Sequence, residues 1–162
     1  MKNTKKLVFA SLMAALICIA TMIIKVPVPA TGGYVNLGDG IIILSGVILG
    51  PLYGGLASAI GSGLADILSG YMTYFLPTFI IKGLMGVYVG YAVKKASVKN
   101  IILAGIVAEI IMVGGYFVAE SVFLGYGLGA LGAIFPNTVQ GLFGIVISAV
   151  LLPITQKINF KG

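Results

Sequence analysis

The 162-residue sequence contains no histidine, no tryptophan, no arginine and one cysteine, and only four of its residues are acidic. Each scarcity excludes a class of chemistry. Without histidine and with a single thiol, no transition-metal site of nitrogen and sulfur ligands can be assembled. For the same reason no Ser/His/Asp or Cys/His nucleophile can form, and no disulfide framework is available. Cys18 lies inside an apolar run and reads as a small buried apolar residue. No Gly-x-x-x-x-Gly-Lys-Ser/Thr run occurs, so the chain does not cradle ATP in that way. It is therefore expected to hold neither a metal nor a cofactor and not to be an enzyme. Charge is scarce as well, at 9% of residues, where a soluble domain carries about a quarter. So few charges cannot cover a water-facing surface, whereas a lipid-facing surface needs none.

What is abundant agrees with a bilayer as solvent. Hydrophobic residues make up 59% of the chain and there are 24 glycines, a residue enriched in membrane helices. A spanning helix needs about 20 apolar residues. Runs of that kind place helices at about 5–25, 40–49, 52–69, 74–93, 99–124 and 129–156. Gly50-Pro51 separates the second from the third, since proline fixes φ and restricts the residue before it. The whole chain, 1–162, is thus expected to form a single membrane domain, all-α, with six transmembrane helices and an outer Pro/Gly-rich loop at 26–39. The basic start Met1 to Lys6 followed by an apolar run resembles a signal peptide, but the run is long for one. A retained first helix is expected.

The net charge of +6 comes from lysines at the ends of apolar runs, not from a stripe that would track nucleic acid. Lys2, Lys5 and Lys6 precede the first helix, Lys94, Lys95 and Lys99 fall between the fourth and fifth, and Lys157 and Lys161 follow the sixth. With an even number of spans all eight share one side, which the positive-inside rule makes the cytoplasm. Both termini are then cytoplasmic.

The acids are Asp39, Asp66, Glu109 and Glu120. Ionisable groups at membrane depth are costly and mark functional sites by default. At about 1.5 Å per residue, Asp39, Asp66, Lys82, Glu120, Asn137 and Gln140 all fall in the outer half of the membrane, with Lys82 about 12 Å below the outer end of its helix; Glu109 lies nearer the middle. Tyr34, Tyr71, Tyr74, Phe75, Phe79, Phe123, Tyr126 and Phe135 also fall on the outer side, as an interfacial aromatic belt would. Two arrangements fit the polar residues. One is a buried ion pair, Lys82 with Glu120 or Asp66, that staples helices together. The other is an outward-opening polar cavity roofed by 26–39, suited to a ring-shaped polar ligand. Small residues recur four apart at Gly55, Ala59 and Gly63, and at Ala10 and Ala14. Such stripes allow close approach of helix backbones. On the first helix this fits internal packing and docking to another protein equally well.

The stretch from Tyr34 to Gly70, YVNLGDGIIILSGVILGPLYGGLASAIGSGLADILSG, continued by Phe79-Ile-Ile-Lys-Gly-Leu-Met-Gly86, resembles the substrate-binding membrane subunit (S component) of energy-coupling factor (ECF) transporters, bacterial vitamin importers. Ala10-x-x-x-Ala14 resembles the alanine motif by which such subunits dock. The resemblance implies a multi-pass protein of the bacterial cell membrane that captures a vitamin or precursor on its extracellular side, with the loop after the first helix as a gate. The block is most similar to subunits assigned to pyridoxine-type vitamins or to the hydroxymethylpyrimidine precursor of thiamine, and shares parts with riboflavin-type members. Substrate-binding residues would be Tyr34, Asn36, Asp39, Asp66, Tyr74, Phe79, Lys82, Glu120, Asn137 and Gln140, and docking residues Ala10 and Ala14. Implied partners are a transmembrane coupling subunit and two cytosolic ATPases that use the ATP, with the subunit toppling in the membrane to release its cargo. Two other functions fit the residues without the resemblance. The chain could be a self-sufficient ion-coupled transporter or channel, with Lys82, Glu109 and Glu120 as a relay. It could also be a structural membrane protein whose charges only pair.

Overall fold

Apolar runs in a medium without water must satisfy every peptide group internally, which makes them helices. The computed structural model describes residues 3–157; Lys2 and Lys161 lie outside the described residues. Helix α1 spans Asn3–Ile23, α2 Asp39–Leu68, α3 Phe75–Ala92, α4 Val98–Val118 and α5 Leu131–Lys157. Among the described residues five helices are long and apolar enough to cross a membrane. Ser97 caps α4, its hydroxyl accepting from the Asn100 amide at 3.3 Å. A π-turn over Ala119–Phe123 and a 3-10 turn over Gly127–Ala130 join α4 to α5.

The sequence divides 40–69 into two helices; the structure presents α2 as one long element broken at Gly50, whose φ of 76° and ψ of −176° are not helical. The break is a reversal. Along 39–49, Lys82 of α3 meets Asp39 and Val89 meets Gly46, so this arm runs parallel to α3. Along 51–68, Gly90 abuts Pro51, Gly83 abuts Ala59, and Phe75 abuts Gly63, so this arm runs antiparallel to it. Glycine permits the left-handed φ at the corner, and Pro51 starts the second arm where its missing N–H is harmless. The arms close on each other directly, with the Ser45 hydroxyl donating to the Gly54 carbonyl at 3.3 Å.

Segment 26–39 is not wholly irregular. Strand β1 (Lys25–Val28) pairs antiparallel with β2 (Gly33–Asn36) in a two-stranded ribbon, a small β element in an otherwise helical fold. Val26, Val28 and Val35 suit a pleated strand, and Pro27 is tolerated where the ribbon has a free edge. The tip is closed by Gly32 N–H donating to the Val28 carbonyl at 3.0 Å, with Gly32 at φ +65°. The ribbon follows α1 and lies at the end of the bundle opposite Lys5, Lys6, Lys94 and Lys95. The apolar core, with Ile17, Ile42, Ile43, Leu44, Met85, Val89, Ile101, Met112 and Leu152, is buried among all five helices. Leucines, valines and isoleucines on the outer faces, such as Leu52, Leu76, Ile110 and Val150, are exposed, as a lipid-facing surface requires.

Candidate functional site

Polar side chains from α2, α3, the end of α4 and α5 point inward just beneath the ribbon. They enclose a cavity of about 20 Å³ lined by residues that include Thr21, Tyr34, Asn36, Ser62, Asp66 and Tyr74. Thr78, Lys82, Tyr116, Glu120 and Asn137 complete its polar wall. A volume of that size holds about one water molecule.

Its floor is a buried charge network. Lys82 Nζ donates to Asp39 Oδ1 as an ion pair, and Gln140 Nε2 donates to Asp39 Oδ2 at 2.6 Å. The Gln140 carbonyl in turn accepts from the Asn36 amide at 2.6 Å. This ties α2, α3 and α5 to the ribbon, and the two hydrogen bonds fix which way the Gln140 amide points. The Lys82 amine also stands 5.5 Å from the centre of the Tyr116 ring, within the range of a cation–π contact.

The walls are pinned by phenols. Tyr34 donates to Asp66 Oδ1 at 2.6 Å and packs at a tilt of 52° on Tyr71, with ring centres 4.5 Å apart. Burial first, and then the Asp66 charge and hydrogen bond, push the Tyr34 phenol well above its ordinary range, so it stays a donor at any physiological pH. Tyr74 Oη donates to the Thr31 carbonyl at 2.7 Å and lies 3.1 Å from Glu120 Oε1, latching the ribbon tip to the bundle. Thr78 Oγ1 and Tyr116 Oη share a hydrogen bond of 2.8 Å. Several polar atoms remain unpartnered among the described residues: Asp66 Oδ2, Glu120 Oε2 and Ser62 Oγ at the cavity, and both oxygens of Glu109.

Of the residues selected from the sequence, Tyr34, Asn36, Asp66, Tyr74, Lys82, Glu120 and Asn137 line the cavity. Asp39 and Gln140 lie directly behind it. Phe79 does not belong there: it packs on Phe75, 5.9 Å between ring centres, and on Gly63. The acid paired with Lys82 is Asp39, not Glu120 or Asp66. Asp39 begins α2 but is fully buried because the ribbon and α5 cover it. Thr21, Ser62, Thr78 and Tyr116 were not singled out. Three of them sit four residues before a selected residue on the same helical face (Ser62 before Asp66, Thr78 before Lys82, Tyr116 before Glu120), a spacing that could have found them. Glu109 is not part of the lining; it packs against Gly141 and Gly144 of α5, and Gly144 also abuts Asp39.

Ala10 and Ala14 face a groove between α1 and the 51–68 arm, lined also by Leu7, Tyr53, Leu56 and Ile60. The two residues that the resemblance assigns to docking are not equally exposed. Ala10 is buried against Leu49 and Ala57, and the Ala14 backbone abuts Gly61, because the 51–68 arm presents only small residues there.

The sequence matches the family described as "ECF-type riboflavin transporter, S component" across residues 1–157. An uncharacterized protein of Pyrococcus woesei is 39% identical over 142 residues, 87% of this chain and 95% of its own length. The thiamine precursor transporter HmpT of Lactococcus lactis subsp. cremoris is 27% identical over 157 residues, 96% of this chain and 90% of its own. The solved S component of a bacterial ECF transporter superposes with a TM-score of 0.69 over 98% of this chain and 99% of that one, at 20% identity, a likeness of fold.

Proposed function

The chain belongs to the family of ECF-type riboflavin transporter S components, and from that premise we propose that it captures a vitamin precursor in the cavity beneath the ribbon and hands it to partner subunits for import. The observation that carries this is the cavity itself: a small polar chamber, with unpartnered carboxylate oxygens at its lining residues, set inside a bundle that otherwise shows apolar faces to lipid. Polar groups at that depth need a ligand or a partner, and Asp66 and Glu120 each keep a buried oxygen without a hydrogen bond among the described residues.

The favoured cargo is a single-ring vitamin or precursor of hydroxymethylpyrimidine or pyridoxine type. A relative named as a thiamine precursor transporter aligns with nearly the whole chain, and the absence of tryptophan removes the broadest stacking surface for a larger ring system. Tyr34, Asn36, Asp66, Tyr74, Lys82, Glu120 and Asn137 contact the ring and its substituents. Asp39 and Gln140 act behind them as positioning residues. The 39–49 and 51–68 arms count as separate passes, which makes six and puts both termini on the cytoplasmic side with the lysine clusters. Energy comes from ATP hydrolysed by two cytosolic subunits through a transmembrane coupling subunit that docks on the groove beside α1. The chain itself uses no cofactor.

Reconstitution tests this. Purified protein in liposomes should bind the precursor without concentrating it under a proton or sodium gradient, and co-expression with coupling and ATPase subunits should give ATP-dependent uptake. Gradient-driven accumulation by the lone chain would instead identify an ion-coupled transporter. Absence of binding to any B vitamin or precursor would leave the charges as structural pairs.

A further inference from the structure

The charge balance of the cavity restricts what can enter it. Two carboxylates, Asp66 and Glu120, line it, both at least 97% buried. The single lysine of the lining, Lys82, is already held by a third carboxylate, Asp39. The other nearby cation, Lys25, lies on the ribbon with its amine 5.9 Å from the Tyr34 ring centre and is not part of the lining. Glu109, on the far side of Asp39, adds no positive charge. The groups with spare capacity are acceptors: Asp66 Oδ2 and Glu120 Oε2 have no hydrogen bond among the described residues. The Thr78 hydroxyl stands beside Asp66 and the Thr31 hydroxyl beside Glu120, and Thr78 also shares a hydrogen bond with Tyr116; each carboxylate still has more acceptor positions than these two hydroxyls fill. Acceptors left open in a low-dielectric chamber call for N–H or O–H donors on the ligand.

We infer that the cavity takes a neutral or cationic ring carrying N–H or O–H donors and rejects carboxylates and phosphate esters. An amino-substituted heterocycle with a free alcohol meets this requirement; its phosphate ester does not. The inference rests on the proposed capture function and narrows it to one chemical class. Two contacts place the selecting groups on different elements: Tyr34 holds one oxygen of Asp66, and Tyr74 stands at one oxygen of Glu120. Each phenol leaves the other oxygen buried without a hydrogen bond among the described residues, one on α2 and one on the turn that ends α4.

The test uses the full-length protein in detergent and isothermal titration with matched pairs. The pairs are the aminopyrimidine alcohol (hydroxymethylpyrimidine) with its phosphate ester, and pyridoxine with its phosphate ester. For any pair that binds, the ester should be weaker by about 100-fold or more, since like charges brought into contact are strongly disfavoured. Asp66→Asn and Glu120→Gln keep shape and remove charge, and each should narrow that gap by about tenfold. An ester bound as tightly as its alcohol, or a gap unchanged in both variants, overturns the inference while leaving the capture function intact. Binding of neither member of either pair, nor of any other B vitamin, overturns the capture function and the inference with it.

Discussion

Replacing Lys82 by methionine removes one half of a buried ion pair and strands the other half. Asp39 is fully buried, and without the ammonium it keeps only the Gln140 amide as a hydrogen-bond partner. Breaking a buried pair from one side costs about 3–5 kcal/mol, because the remaining charge is neither solvated nor neutralised. For a domain of this size each kcal/mol moves the unfolding midpoint by about 2–4 °C, so Lys82→Met should lower it by about 6–20 °C. Asp39→Asn should fall in the same range, since it strands the lysine. Lys82→Met combined with Asp39→Asn should recover much of the loss, because neither partner is then charged. The chain supplies its own reporter: Cys18 is its single thiol and is buried, so a thiol-reactive fluorophore in detergent reads unfolding directly. Lys94→Met, at an exposed position, is the control. A Lys82→Met midpoint within about 2 °C of the parent protein would refute the reasoning, and so would a double variant worse than either single one.

Three further outcomes follow from other parts of the fold. Ala14→Trp should abolish ATP-driven uptake in the assembled transporter while leaving ligand affinity of the isolated subunit unchanged, and Ala10→Trp, at a buried position, should destabilise the isolated subunit as well; uptake and affinity measured side by side separate the two. Gly50→Ala should lower the midpoint by about 2–12 °C, since this positive-φ extended conformation costs a residue with a Cβ about 1–3 kcal/mol. Nothing lies near the added methyl group, so the loss is one of backbone alone, and Gly114→Ala on the exposed face of α4 should cause none. Glu109→Met should raise the midpoint by about 2–6 °C, because both carboxylate oxygens are buried without a hydrogen bond and an unbranched apolar side chain removes that cost. A lowered midpoint would show that the carboxylate is held by a contact of its own.

Much of this architecture was legible in the sequence because the bilayer fixes helix length and the chain marks its breaks. Gly50-Pro51 announced the reversal in α2, and counting residues along each helix put the polar cluster at one depth. Depth is a coordinate along the helix axis, however, and says nothing about which neighbours face each other across it. Lys82 was therefore assigned Glu120 or Asp66, acids that line the same cavity, when packing brings it to Asp39. Asp39 was placed in the cluster but not beside Lys82, because it begins a helix at its outer end; the ribbon next to it was hidden in a segment whose prolines and glycines read as loop. The small-residue stripe at Ala10 and Ala14 had the same ambiguity. It promised a close approach without naming who approaches, and Gly61 and Ala57 of the same chain take part of that surface.

The reversal at Gly50 has a mechanical consequence. Between its two arms and α3 main chain comes close to main chain: Gly46 faces the Gly86 carbonyl, Gly55 faces that of Gly83, and Gly90 rests on Pro51, with Val89 packed on Gly46, Val87 on Gly55 and Phe75 on Gly63. A seam this tight leaves its few side chains little room to change rotamer, which favours movement of the three segments as one body. Asp39, Asp66 and Lys82 ride on that body. Tyr34 and Asn36 belong to the ribbon, and Glu120 and Asn137 to the turn after α4 and the first turns of α5. Admitting the proposed cargo would then mean moving the second set against the first, around a stiff keel that keeps its charges in register.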